Sequence, residues 1–131
     1  MAGQTFSVPI SIEVGVRTIK RYYLNLNGYR NWHHHLSNQL KKAFKIAVAD
    51  DIRQLTPLTK PCSITYVIYY RDRRGVDIDN IGSVISKFTN DALVELGVLE
   101  DDNCNFVKEI HYVFGGVDKD NPRCEVRIEE L

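Results

Sequence analysis

Long apolar runs are missing from this chain: nowhere do about eighteen apolar residues follow one another, so no segment can cross a bilayer as a helix. The opening stretch, MAGQTFSVPISIEV, alternates polar and apolar residues and has no secretory h-region. Cysteine is scarce too. Cys62, Cys104 and Cys124 are an odd, widely spaced set with no C-x-x-C pair, which argues for reduced thiols in a cytosolic compartment and against both a disulfide scaffold and a zinc site. The four prolines and eight glycines never concentrate into a linker or repeat, so the 131 residues are expected to form one domain, 1–131, around one core. Net charge is also lacking, since 17 Lys/Arg balance 17 Asp/Glu.

That neutrality speaks against a nucleic-acid partner until the distribution is read. Residues 1–75 hold 12 basic and 4 acidic side chains, a balance of +8, and residues 76–131 hold 5 and 13, a balance of −8. A basic face beside an acidic, metal-competent region is one arrangement that produces such a split.

Periodicity predicts an α+β domain with two principal helices on a mainly antiparallel or mixed sheet, in the order β(β)αβαββ. Residues 5–13 alternate as a strand that Pro9 confines to an edge or breaks, and residues 17–25 are a second strand or an ordered basic-aromatic loop. A long helix is expected from Tyr29 to Gln54, carried by Trp32, Leu36, Leu40, Ala43, Phe44 and Ala47 at spacings of three and four. Residues 62–70, CSITYVIYY, are dense in β-branched and aromatic side chains and give the clearest strand. A second helix is expected to start near Asp79, with Asp79 as its cap, and to stop at Gly97. Strands at 105–114 and 123–129 follow, joined by a hairpin loop at 115–121.

The chemistry concentrates in the acidic half. Asp77 and Asp79 stand two residues apart where the best strand turns into the second helix, and carboxylates so placed can converge on a hard divalent cation. A calcium EF-hand is excluded, because Ile81 fills the fifth loop position and Phe88 stands where the bidentate Glu belongs. A second cluster, Glu100-Asp101-Asp102, follows Gly97-Val98-Leu99.

Taken together, Asp77-x-Asp79-Asn80, Lys87-x-x-x-Asp91-Ala92-Leu93 and Gly97-x-x-x-Asp101-Asp102 resemble the RusA-type Holliday-junction resolvases over about residues 63–128. Arg73-Arg74 resembles the family's basic approach to the first motif, and upstream the likeness thins to Arg21-Tyr22-Tyr23 and Tyr29-Arg30-Asn31. The resemblance implies that Asp77, Asp79 and Asp102 are catalytic carboxylates binding Mg²⁺ or Mn²⁺, and that Lys87 is the essential lysine. It further implies a homodimer that nicks two opposed strands of a four-way double-stranded DNA junction, and the cysteine usage places it in the cytoplasm. A catalytically impaired DNA-structure-binding protein, or a nuclease for flaps and forks, are the alternatives on the same fold.

Two departures stand out. From Asp79 to the Asp91-Ala92-Leu93 segment the chain is four residues longer than the family pattern, about one helical turn or 6 Å. Ser83 therefore stands where the lysine is expected, Lys87 lies a turn further on, and Val76 replaces a basic residue before the first Asp.

Arg71, Arg73 and Arg74, with Lys20, Arg21 and Tyr22, are the candidate DNA-gripping surface, joining cations to stacking rings. Lys41, Lys42 and Lys45 fall on the polar side of the first helix. Three successive helical positions point about 100° apart, so His33, His34 and His35 are not expected to meet on one ion. The three cysteines are expected to be small buried residues.

Overall fold

In the computed structural model, residues 3–131 are described, and the first two residues of the expected 1–131 domain lie outside them. The element order is β1 (Gln4–Val8), β2 (Ser11–Val14), β3 (Lys20–Tyr23), α1 (Leu26–Asn31), α2 (His34–Arg53), β4 (Cys62–Tyr70), α3 (Ile78–Glu95), β5 (Val107–Val117) and β6 (Arg123–Glu130). This is the expected α+β arrangement. A four-stranded mixed sheet runs β1-β6-β4-β5, and β2 and β3 form a separate antiparallel pair. Among the described residues only β4 and β5 pair in parallel; β1–β6 and β6–β4 are antiparallel.

Several expected boundaries shift, each for a local reason. Pro9 lacks the N–H that a ladder needs, and the first strand breaks there: β1 joins the large sheet, and β2 turns away to pair with β3. The long first helix is two helices, because Trp32 and His33 leave the helical region (ψ 130° and 149°). Ala47 consequently faces solvent, while Leu40, Phe44, Val48, Ala49 and Ile52 line the buried stripe of α2. The 115–121 segment is not a hairpin, since β5 and β6 flank β4 on opposite sides and the chain crosses the end of β4 between them. The Asp118 N–H there donates to the Tyr70 carbonyl at 2.8 Å.

One apolar core joins the buried face of the large sheet (Cys62, Ile64, Tyr66, Ile68, Val126, Ile128) to α2 and α3. α3 seats closely on β5 at Gly82, where a Cβ would stand 2.5 Å from the Tyr112 ring. Two polar contacts fix the same seat: Tyr66 hydroxyl to the Asn90 side-chain oxygen, and Ser86 Oγ to Tyr112 hydroxyl at 2.8 Å. Asn90 is thus a buried polar side chain. Because β4, α3 and β5 form a parallel crossover, the two ends of α3 lie at opposite ends of the sheet.

Candidate functional site

The β4–α3 corner carries the first pair of carboxylates. Asp77, not Asp79, occupies the N-cap of α3, with extended backbone (φ −77°, ψ 118°) and no side-chain capping bond; Asp79 falls in the first turn. The unpaired N–H groups at a helix start favour nearby anions, which makes this a tolerable place for two free carboxylates. Both are exposed, and among the described residues neither side chain has a hydrogen bond or ion pair. By contrast Asp72, five residues earlier, is used structurally: it accepts the Arg74 N–H at 2.9 Å and pairs with Arg71 and Arg74.

Asp102 lies in the α3–β5 connection. Gly97, at φ +82°, takes the left-handed conformation that ends the helix. Asp101 then organises the turn, accepting the Asp102 N–H at 2.7 Å and the Asn103 side-chain N–H at 3.0 Å, and among the described residues the Asp102 carboxylate has no partner. Burial raises the Asp91 pKa, with the Asp102 charge adding to the rise and Lys87 and Lys41 opposing it. Asp102 also acts on Tyr66, whose hydroxyl is raised chiefly by burial. Asp102 therefore neighbours the second half of α3.

This placement divides the three candidate ligands. Asp77 and Asp79 follow the last residue of β4, whereas the connection holding Asp102 adjoins its first, where the Cys62 N–H donates to the Phe106 carbonyl at 2.8 Å. Along α3, twelve residues separate Asp79 from Asp91, about 18 Å of axial rise. Among the described residues, no three carboxylates bring ligand oxygens within 4.8 Å of one another. The oxygen donors suit a hard divalent ion, but one protomer presents them at two ends. Lys87 is exposed near the middle of α3, two turns after Asp79 and one turn before Asp91, whose pKa its charge lowers.

The basic candidates are joined by stacking. The Arg71 guanidinium lies 3.8 Å from the centre of the Tyr23 ring, bringing the 71–74 loop against β3, and Lys20 covers Tyr22 at 5.2 Å. Arg21 is committed to Glu13 and Ser11 of β2. Arg73 and Arg74 are the exposed cations next to Asp77.

Sequence reasoning missed two further groups. Lys41, Lys42, Lys45, Asp91 and Glu95 line a cleft of about 180 Å³ between α2 and α3, with Lys45 bonded to Glu95 at 2.6 Å. The i,i+4 spacing of Lys41 and Lys45, and of Asp91 and Glu95, was the available signal. The expectation for His33, His34 and His35 is also corrected: one ligand nitrogen from each lies within 4.8 Å of the others. The 100° argument fails because His33 is the cap outside α2, with only His34 and His35 in its first turn. Cys62 and Cys124 are buried as expected, and burial pushes Cys124 up to about 12, but Cys104 is exposed.

The family model described as endodeoxyribonuclease RusA matches residues 15–129. No curated protein matches the chain.

Proposed function

The chain belongs to the RusA endodeoxyribonuclease family, and on that premise we propose that residues 1–131 act as a single nuclease domain that resolves four-way DNA junctions as a homodimer. In this reading a Mg²⁺ or Mn²⁺ ion is held by Asp77 and Asp79 of one protomer and Asp102 of the partner subunit. The supporting observation is the division, between the two ends of α3, of three carboxylates that have no partner among the described residues. Charged groups left without protein partners in an ordered corner and turn are suited to an external cation. The ion would supply an activated water and neutralise charge on the attacked phosphate.

Strand β5 offers the surface that rejoins the two ends. It forms an outer edge of the large sheet for eleven residues, with Ile110, Val113, Phe114 and Val117 exposed. Such a long apolar edge, with unpaired backbone groups, is a template for another strand. Two β5 edges pairing antiparallel about a two-fold axis set the Arg73–Arg74–Asp77 end of one protomer against the Glu100–Asp102 end of the other. Opposite charges then meet twice, and the symmetry matches that of a four-way junction. Arg73, Arg74, Lys20 and Tyr22 grip the DNA backbone, and Lys87 holds the attacked phosphate.

Subunit mixing tests the arrangement. Asp77→Asn and Asp102→Asn homodimers are each expected to be inactive with Mg²⁺ while still binding junctions. After exchange, a mixed dimer carries one site with both substitutions and one with neither, so nicking returns at roughly a quarter of the wild-type site count. Full activity of either homodimer would overturn the ligand assignment. Inactive variants that never complement would place the ligands within one protomer. A panel of junction, flap and fork DNA identifies the preferred branch.

A further inference from the structure

We propose that His33, His34 and His35 form a second metal site, one for a borderline divalent transition ion of the Zn²⁺ class, separate from the carboxylates. Each offers one ligand nitrogen, and these atoms already lie within 4.8 Å of one another. The rings are gathered rather than splayed: centroids are 4.4 Å apart for His33–His34, 4.1 Å for His34–His35 and 5.1 Å for His33–His35, with planes tilted by 27–39°. Backbone geometry produces this gathering. His33 is held outside α2 at φ −59°, ψ 149°, so its ring folds back over the first turn, where His34 and His35 point.

Capping alone does not account for three histidines here. Helix starts favour Ser, Thr, Asp or Asn at the cap. One imidazole, His33, already accepts the His35 N–H through Nδ1, at 3.3 Å, and α2 has no acidic residue in its first turn. All three rings are exposed, so nothing buries their remaining nitrogens. The long capping bond is readily given up when His33 turns a nitrogen toward an ion.

The donor set decides the kind of ion. Imidazole nitrogen suits Zn²⁺, Ni²⁺ or Cu²⁺, whereas Mg²⁺ and Mn²⁺ prefer carboxylate and water oxygen. Three protein nitrogens leave a tetrahedral ion one open position, which solvent reaches. Trp32, just before His33, packs edge-on against Tyr22, which Lys20 covers. A cation at the triad therefore extends the β3 basic-aromatic surface, with a coordination position free for water or a phosphate oxygen.

The test is titration of the full chain with ZnCl₂ in excess Mg²⁺, followed by calorimetry. One zinc per chain is expected to bind without competition from Mg²⁺. Loss of even an outer-shell partner costs roughly ten- to a hundredfold in affinity, so His34→Gln/His35→Gln should weaken binding by at least about that much. These substitutions fall on exposed side chains, and circular dichroism confirms the fold. Co²⁺ in place of zinc should give a visible spectrum without a thiolate charge-transfer band. Unchanged zinc binding in the double variant would overturn the site. A thiolate band that disappears with Cys104→Ser would equally overturn it, by assigning the ion to the exposed cysteine.

Discussion

The side-chain oxygen of Asn80, immediately after the Asp77-x-Asp79 pair, accepts the backbone N–H of Leu26 at 3.0 Å. One residue of the acidic motif thus ties the start of α3 to the start of α1, 54 positions away. Asn25 completes the turn by accepting the Gly28 N–H at 2.7 Å. Asn80→Ala leaves the Leu26 donor unpaired in a half-buried corner and is expected to destabilise the fold by about 1 kcal/mol. Urea denaturation would show it as a lower midpoint with unchanged slope.

The edge of β5 is expected to hold the dimer. Val113 and Phe114 are 44% and 45% exposed, so lysine at both positions costs the protomer little. Val113→Lys/Phe114→Lys should halve the mass seen by light scattering at micromolar concentration and abolish cleavage. A dimer that persists in this variant would place the interface elsewhere.

Arg73 and Arg74 are expected to contact phosphate directly, Arg74 giving up its 3.7 Å pair with Asp72, while Arg21 is tied more closely to Glu13. Junction affinity should fall steeply with salt through counterion release. Arg73→Ala/Arg74→Ala should reduce the slope of log affinity against log salt by about 2, one for each lost contact. Arg21→Ala should move it less. Salt-insensitive binding by the wild type would contradict the phosphate-gripping surface.

Lys87→Ala should slow cleavage by at least about a hundredfold, the scale for losing one transition-state donor. Its side chain is exposed, so the melting temperature is expected to stay close to wild type. Single-turnover rates on a saturating junction separate this from weaker binding. A loss of only two- or threefold would pass the role to another cation, with Arg74 the first candidate.

Local pattern determined much of this protein. The β-branched run Cys62–Tyr70, the three-and-four spacing in α2 and α3, and the strand-to-helix corner at Asp77 all depend on neighbours within a few residues, and each appears in the fold. The acidic and basic motifs, read in order, also carried the family. The histidine rings lay beyond pattern, because whether they splay or gather turns on one dihedral at His33, where the chain leaves the helix. Strand pairing lay beyond it too: β5 and β6 look like a hairpin in sequence, yet each finds a better-buried neighbour in β4. That parallel crossover sends Asp102 to the opposite end of α3 from Asp77 and Asp79. Spacing along a chain fixes which carboxylates exist, but only the direction of the strand after the helix decides which ones can meet.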